Sequence, residues 1–236
     1  MNILEINNVS QDFGGLRALD SVNLCISEGQ IFGLIGPNGA GKTTLFNLIT
    51  GIYQATSGQI RFKDQIITKT KPYLLARAGI GRTFQNIRLF KKMSVLDNVK
   101  AGLHTVKKQD TSARSRELLG MFGLDDRALD LAESLAYGEQ RRLEIARALA
   151  LNPSLLLLDE PAAGMNATEK EELLGHIRNI QQMGITVLLV EHDMNVVMRV
   201  CERIAVLDYG RKIAEGPPEE IRNDERVIHS YLGAAR

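Results

Sequence analysis

The chain has 236 residues, of which 44% are hydrophobic and 24% are charged, and its formal net charge is +1. These values are typical of a globular protein with a substantial core, and the near-zero net charge argues against nucleic acid as a partner. No apolar run approaches the roughly 20 residues that a membrane-spanning helix needs, and residues 1–6 lack the pattern of a secretion signal. Two isolated cysteines, Cys25 and Cys201, are expected to lie reduced in the core of a cytosolic protein.

The first quarter of the chain has the pattern of β-strands. Partial alternation of apolar and polar residues predicts strands at 3–9 and 16–26, and the continuous apolar run at 31–35 predicts a strand that is covered on both faces. A glycine-rich segment and an apolar helix follow this run. A turn at 56–58 then precedes a further strand at 59–63.

The glycine-rich segment carries the most specific functional signal. Residues 36–44 read Gly-Pro-Asn-Gly-Ala-Gly-Lys-Thr-Thr, which is the spacing of a phosphate-binding loop. Glycines allow the backbone to direct successive N–H groups at one anion, and a helix that begins near Lys42 adds the positive end of its dipole. Lys42 would contact the outer phosphates, and Thr43 would offer a hydroxyl to Mg²⁺. The predicted phosphate-binding residues are Gly36, Pro37, Asn38, Gly39, Ala40, Gly41, Lys42, Thr43 and Thr44.

Residues 73–136 differ in pattern and predict a helical insert between two parts of the sheet. Ser94 is expected to cap one of its helices, with Asp97 as an acidic capping partner. The four helices of this region are expected near residues 72–78, 94–103, 113–122 and 127–135.

The second half of the chain alternates helices with buried strands, which indicates a mainly parallel α/β sheet. Helices are expected at 139–150 and 168–183. The strands are expected at 155–158, 185–190, 204–207 and 212–215, the last two forming a hairpin.

Two of these strands end in polar side chains. The carboxyl ends of parallel strands share the edge at which α/β sheets bind ligands. Because successive strand residues point in opposite directions, we assign Asp159 to the water shell of Mg²⁺ and Glu160 to the attacking water. His192 follows the next buried strand and would hydrogen-bond a γ-phosphate. By its residue type alone a helix cap or a solvated position is favoured, but its place at a strand end favours the phosphate contact.

Two further segments are ambiguous by themselves. Gln85 could complete a metal or water contact, or it could be an ordinary surface residue. Residues 135–140 precede a helix, where Gly138 leaves N–H groups open to an anion, unless the segment is only a helix cap. This segment cannot serve the phosphates held by residues 36–44 unless the chain folds back or a second copy supplies it.

Taken together, these motifs resemble the ATP-binding cassette family of transport ATPases, and the resemblance covers nearly the whole chain. The most similar subgroup is the ATP-binding subunit of bacterial branched-chain amino acid importers, mainly because of Tyr137 and the sequence around Phe84. The segments that resemble the family are residues 13–19, 36–44, 81–86, 137–138, 141–149, 159–161 and 191–194.

The resemblance implies one domain over residues 1–236. Its fold would be α/β, with a phosphate-loop nucleotide-binding core on a mainly parallel sheet, an N-terminal antiparallel β subdomain, and a helical subdomain inserted at about residues 86–136. The implied activity is ATP hydrolysis with ATP and Mg²⁺ as cofactors, and it would power amino-acid import. The alternatives are the ATPase of a lipid or lipopolysaccharide export or extraction system and a soluble ATPase without a transport role.

The same resemblance implies partners and a location. Transmembrane permease subunits would bind the chain directly, and a solute-binding protein would be linked to it indirectly. The chain would form a homodimer, or a heterodimer with a related ATP-binding subunit. It would lie peripherally on the cytoplasmic face of the inner membrane.

Roles for single residues also follow from the resemblance. Phe13 would stack on adenine, Glu160 would be the catalytic carboxylate, and His192 would be the switch histidine. Gln85 would sense the membrane partner and take part in catalysis, and it would share the metal with Thr43 and Asp159.

The family signature would be residues 135–140, and a head-to-tail dimer would present it to the nucleotide on the other subunit. Residues 163–166 would form the loop exchanged between subunits. The expected nucleotide contacts from the signature are Ala136, Tyr137, Gly138 and Glu139.

The signature departs from the usual family sequence Leu-Ser-Gly-Gly-Gln at two functional positions, because Ala136 replaces the serine and Glu139 replaces the glutamine. Loss of one hydroxyl contact with the γ-phosphate costs about 1–3 kcal/mol. We therefore predict slower or weaker ATP-driven closure than in relatives with serine. Steady-state ATP turnover should rise in Ala136→Ser, and an unchanged rate would contradict this prediction.

Overall fold

The structure is a computed structural model that describes residues 1–103 and 111–233. Two β-sheets organise the chain. One is an antiparallel sheet of four strands in the order β2-β1-β4-β5. Its strands are β1 (Asn2–Phe13), β2 (Leu16–Ser27), β4 (Ser57–Phe62) and β5 (Gln65–Ile66).

The other sheet has six strands in the order β10-β9-β3-β8-β7-β6. The five strands from β9 to β6 form four parallel pairs, and the edge strand β10 pairs with β9 in the antiparallel direction. This architecture confirms the α/β fold with a mainly parallel sheet and an N-terminal antiparallel part. The strands are β3 (Ile31–Ile35), β6 (Ile80–Arg82), β7 (Leu155–Asp159), β8 (Thr186–Val190), β9 (Arg203–Asp208) and β10 (Arg211–Gly216).

Each face of the parallel sheet packs in a different core. Leu155 and Leu157 of β7 join a cluster with the antiparallel sheet and the first helix, whereas Leu156 and Leu158 join a cluster with the later helices. Because side chains alternate along a strand and both faces are covered, the central strands are continuously apolar. The helices are α1 (Lys42–Ile49), α2 (Pro72–Ala78), α3 (Val95–Leu103), α4 (Thr111–Met121), α5 (Tyr137–Leu149), α6 (Ala167–Gln182), α7 (Met194–Val200), α8 (Pro218–Asn223) and α9 (Glu225–Gly233).

Helices α3, α4 and α5 pack against one another. The predicted cap of α3 is present, because the Ser94 hydroxyl accepts the Asp97 N–H at 3.0 Å and donates to the Asp97 carboxylate at 2.7 Å. The helix boundary at residue 86 and the division of the chain into subdomains stay predictions. None of the helices in the described part of the chain is long and apolar enough to span a membrane.

The predicted helix at 127–135 is wrong. The segment contains only short 3₁₀ turns at Asp125–Arg127 and Ala132–Ser134. Between them the backbone runs alongside the start of α3, where the Val95 N–H donates to the Asp130 carbonyl at 2.9 Å. Leu129 is 80% exposed, and although other apolar residues of the segment are buried, its backbone bonds to the start of α3 and not along a helix of its own.

The two cysteines differ in burial. Cys201 lies in the core as predicted, and burial raises the pKa of its thiol to about 12. Cys25 is exposed, contrary to the prediction. It lies on β2 between Leu24 and Ile26, whose side chains are buried, and the two-residue period of a strand directs Cys25 to the opposite face.

Candidate active site

Parallel pairing brings the carboxyl ends of three central strands to one edge of the sheet. β8 pairs with β3 on one side and with β7 on the other, so that Val190 lies beside Leu34 and Asp159. The residues that follow β3, β7 and β8 therefore meet at this edge. They are the phosphate-loop glycines, Glu160 and His192.

The turn after β3 depends on two glycines. Gly36 has φ 150°, and a Cβ at this position would lie 2.1 Å from the Leu207 carbonyl oxygen. Gly41 has φ 104°, and its Cβ would lie 2.6 Å from Leu19 Cδ2. Both positions exclude a side chain, so the loop can turn tightly and begin α1 at Lys42.

Lys42 lies against the loop that precedes it. Its ammonium donates to the carbonyls of Gly36 at 2.7 Å and Pro37 at 2.9 Å. Burial lowers the pKa of Lys42, and the nearby carboxylates of Glu160 and Asp159 oppose this shift. A cation is thus held at the N-terminus of a helix, where both the charge and the helix dipole attract anions.

A cleft of about 430 Å³ opens above this loop. One end is aromatic: Phe13 is half exposed and meets Tyr53 edge to face, with ring centroids 5.2 Å apart. The other end contains Lys42, Gln85 and Glu160. The lining residues are Phe13, Leu16, Arg17, Ala18, Gly39, Ala40, Gly41, Lys42, Thr43, Thr44, Gln85, Glu160 and Tyr209.

Three predicted catalytic side chains meet at Glu160. The Gln85 amide donates to Glu160 Oε2 at 3.1 Å, and His192 Nδ1 lies 3.5 Å from the same oxygen. Glu160 adopts φ 47°, a left-handed conformation that is strained for a residue with a side chain. Its N–H donates to the Val190 carbonyl at 2.9 Å, which ties the turn after β7 to the end of β8.

Asp159 has a different environment from Glu160, as strand alternation predicts. It is 2% exposed and forms an ion pair with Arg82 at 3.0 Å. Burial raises the pKa of Asp159, while the hydrogen bond and charge of Arg82 partly offset the shift. Arg82 also donates to the side chains of Asn47 in α1 and Thr50 directly after it, so it connects Asp159 of β7 to the helix that follows the phosphate loop.

Some of the predicted site residues lie outside the cleft. Gly36 shapes the turn without lining the cleft, and Pro37 and Asn38 line a smaller neighbouring pocket of about 190 Å³. The four signature residues lie at the start of α5 and do not line the cleft. Within the described residues, the chain does not fold back to bring its signature to its own phosphate loop.

The start of α5 is only half capped. The Glu139 carboxylate accepts the Ala136 N–H at 2.8 Å, but Ala136 has no side-chain oxygen to return a hydrogen bond. Serine at this position would complete the capping box and stabilise the fold by about 1 kcal/mol. The melting temperature of Ala136→Ser should therefore be measured together with its turnover, since a more stable fold could also change the amount of active protein.

A buried arginine joins α5 to the loop that contains Gln85. Arg141 is fully buried and donates to the carbonyls of Phe84 at 2.6 Å and Gln85 at 2.7 Å. It also donates to the fully buried Glu144 carboxylate at 2.9 Å and to the Tyr137 hydroxyl at 3.2 Å. The position of the Gln85 backbone thus depends on Arg141 of α5, the helix that begins within the signature.

Sequence reasoning gave no role to Arg82, Arg141, Arg17 or Tyr209. The first two form buried contacts with residues distant in the chain, which no local pattern reports. Tyr209 was detectable in principle, because it follows β9 at the same edge of the sheet as the other strand-end residues.

A family model described as "ABC transporter" matches residues 19–163 of this chain. The chain belongs to the ABC transporter family. A second model, described as "Branched-chain amino acid ATP-binding cassette transporter", matches residues 211–236. The chain is therefore an ATPase subunit of an ABC transporter, which hydrolyses ATP to ADP and phosphate to power transport.

Curated relatives align over almost the full length. The high-affinity branched-chain amino acid transport ATP-binding protein LivG of Escherichia coli (strain K12) is 42% identical, with 99% of this chain and 98% of LivG covered. The lipopolysaccharide export system ATP-binding protein LptB of the same strain is 38% identical, also with 99% and 98% covered.

Solved structures show the same fold. The ADP conformation of MJ1267, an ATP-binding cassette of an ABC transporter, has a TM-score of 0.91 at 32% identity and covers 99% of both chains. The dimeric post-hydrolysis state of the cassette MJ0796, bound to ADP and Pi, has a TM-score of 0.83 at 29% identity, with 91% of this chain and 98% of MJ0796 covered. ABC ATPase subunits thus dimerise, and they work with membrane permeases.

The buried position of Arg141 leads to a stability prediction. Arg141→Met leaves the Glu144 carboxylate buried without its main partner and two carbonyls without their donor, so we expect a loss of about 3–5 kcal/mol in unfolding free energy. The double variant Arg141→Met/Glu144→Gln should recover part of the loss, because it leaves no buried carboxylate without a cation, although Arg147 loses its 3.9 Å contact with Glu144. Urea denaturation of the full chain measures both values.

The matched control is Arg142→Met on the same helix. Arg142 pairs with Glu172 at 2.5 Å near the surface, and such pairs contribute at most about 1 kcal/mol. An Arg141→Met loss no larger than that of Arg142→Met would contradict the assignment of Arg141 as the anchor of the Gln85 loop.

Proposed function

We propose that this chain powers the import of branched-chain amino acids, as the ATPase subunit of an importer on the cytoplasmic face of the inner membrane. The match of residues 211–236 to the branched-chain family model is the single observation that favours this substrate class. It concerns β10, α8 and α9, which lie outside the ATPase motifs common to the whole family. The name of LivG agrees with this assignment.

The cleft is suited to a nucleoside triphosphate. We assign the adenine ring to the aromatic end at Phe13, because an exposed aromatic face stacks on a base with little loss of entropy. The triphosphate would extend along residues 39–44 toward Lys42, whose ammonium would exchange its two carbonyl contacts for phosphate oxygens. Pro37 and Asn38 would shape the outer side of this loop.

The donor set beside the phosphate loop suits Mg²⁺. Thr43 offers a hydroxyl, Gln85 an amide oxygen and Asp159 a carboxylate, and these are the hard oxygen ligands that Mg²⁺ prefers. When bound, Mg²⁺ would neutralise charge on the β- and γ-phosphates. Arg82 would keep Asp159 ionised and oriented in its buried position.

Glu160 is our candidate for the general base. Its carboxylate lines the cleft, and no Lys or Arg of the described residues forms an ion pair with it. Gln85 and His192 contact the same carboxylate oxygen, so they would orient both the carboxylate and the attacking water. Glu160 would accept the proton as water oxygen bonds to the γ-phosphorus and the bond to the β-phosphate oxygen breaks.

A dimer would complete the site. Ala136, Tyr137, Gly138 and Glu139 lie away from the cleft of their own chain, and the N-terminus of α5 can bind an anion. We propose that these residues contact the nucleotide of a second subunit, which is either another copy of this chain or a related cassette. Permease subunits would bind the dimer, and a solute-binding protein would deliver the amino acid to the permease.

Transport by the reconstituted system tests the function. The chain is co-expressed with the permease and solute-binding proteins of a branched-chain amino acid importer, and uptake of labelled leucine, isoleucine and valine is measured in vesicles with ATP inside. We expect ATP-dependent uptake of all three. Uptake that is absent while ATP hydrolysis is intact would refute the substrate, and extraction of lipopolysaccharide instead would favour the LptB-like alternative.

Glu160→Gln is the control for the chemistry in the same assay. The amide keeps the shape of the side chain but cannot accept the proton, so turnover should fall by at least about 100-fold. ATP binding, measured with a fluorescent ATP analogue, should stay within about twofold of the original chain. Hydrolysis at an unchanged rate would refute the role of Glu160.

A further inference from the structure

A third carboxylate lies at this edge of the sheet and has no role so far. Glu191 follows β8 directly and is 0% exposed. Its carboxylate accepts the Ala162 N–H at 2.7 Å and the His192 N–H at 3.3 Å. Among residues 1–103 and 111–233, no Lys or Arg forms an ion pair with it; the one basic side chain within 4.0 Å is the His192 ring.

Such a group is costly for stability. A buried carboxylate loses its hydration, and an ion pair with Lys or Arg is the usual compensation. Burial raises the pKa of Glu191, and backbone N–H groups of Ala162, His192 and Asp193 only partly offset this shift. A glutamate at this position is therefore not explained by core packing.

The contacts of Glu191 join the two loops that supply the catalytic side chains. Ala162 belongs to the turn after β7, and His192 belongs to the turn after β8. Glu160 keeps its strained φ of 47° only if the turn after β7 is held in place both before and after this residue. On the N-terminal side, the Glu160 N–H donates to the Val190 carbonyl, and on the C-terminal side the Ala163 N–H donates to the Glu160 carbonyl at 3.2 Å. The neighbouring Ala162 N–H donates to the Glu191 carboxylate.

We propose that Glu191 is a positioning residue for ATP hydrolysis: its buried carboxylate joins the turn that contains Glu160 to the turn that contains His192. This inference rests on the proposed roles of those two residues. The carboxylate needs no contact with the nucleotide to act. It fixes the distance between the base and the histidine, and a misplacement of about 1 Å at a reacting centre can lower a rate by on the order of 100-fold.

Two variants of the full chain test the proposal. Glu191→Ala removes both acceptors, whereas Glu191→Gln keeps one acceptor for the Ala162 N–H. We expect the turnover number per bound ATP to fall by about tenfold or more in Glu191→Ala and by a smaller factor in Glu191→Gln. The Kd for ATP with Mg²⁺ should stay within about twofold in both, because neither variant changes a phosphate contact.

The decisive quantity is turnover per ATP-occupied site, which is independent of the amount of folded protein. A fall of less than about threefold in both variants overturns the proposal, and if Glu191→Ala does not fold, Glu191→Gln alone decides by the same limit. A purely structural role would lower the melting temperature while leaving this ratio unchanged. A parallel rise in the Kd for ATP would likewise overturn the proposal, since it would indicate a collapsed phosphate loop.

Thr186→Val is the matched control on the same strand. Thr186 is fully buried at the amino end of β8, and its hydroxyl accepts the Gly29 N–H at 2.9 Å. We expect a lower melting temperature with unchanged turnover per bound ATP. The Glu160→Gln variant distinguishes failure of the general-base proposal from failure of the Glu191 proposal. If Glu160→Gln still hydrolyses ATP, the role of Glu160 as general base is wrong. If Glu160→Gln is inactive while both Glu191 variants turn over normally, only the positioning role of Glu191 is wrong.

Discussion

Parallel pairing of β3, β7 and β8 is the constraint on which the site depends, because it places three turns of the chain at one edge of the sheet. Each turn is held by a different means. The turn after β3 excludes side chains at Gly36, where a Cβ would lie 2.1 Å from a carbonyl oxygen. The turn after β7 requires a strained Glu160, and backbone contacts with the end of β8 hold it in place. Precision at the cleft therefore comes from backbone pairing in the core.

Three carboxylates share this edge, and their different environments separate their roles. Asp159 is balanced by the buried Arg82, and Glu191 is held by backbone N–H groups. Only Glu160 of the three lines the cleft, where its neighbours are an amide and an imidazole. A carboxylate that is accessible and free of a fixed strong cation can accept a proton, whereas the other two are suited to binding a metal and to holding backbone.

The sequence predicted features that depend on local patterns. The apolar runs of β3, β7 and β8 and the glycine spacing at 36–44 indicated both the sheet and its functional edge, because strand ends in a parallel sheet converge. The contacts that hold the site were not predictable in this way. Arg82 to Asp159, Arg141 to Gln85 and Ala162 to Glu191 are separated by 77, 56 and 29 residues. The helix expected at 127–135 failed for a related reason, since Leu129 and Leu131 face solvent and hydrogen bonds to the start of α3 hold the backbone.

A closed chain of contacts begins and ends at the turn that contains Glu160. The Glu160 carboxylate accepts a hydrogen bond from the side-chain amide of Gln85. The backbone carbonyl of Gln85 accepts from Arg141, and Arg141 also donates to the Tyr137 hydroxyl. The Tyr137 ring lies over Gly164, where an added Cβ would be 3.2 Å away, and Gly164 is in the turn that begins at Glu160. A displacement of the Gln85 backbone would therefore change the contacts of Arg141 with α5 and, through Tyr137, those with the loop at 163–166. The start of α5 is proposed to contact the second subunit, and residues 163–166 are expected to do so. Under that proposal, these contacts would link the Gln85 loop to the subunit interface.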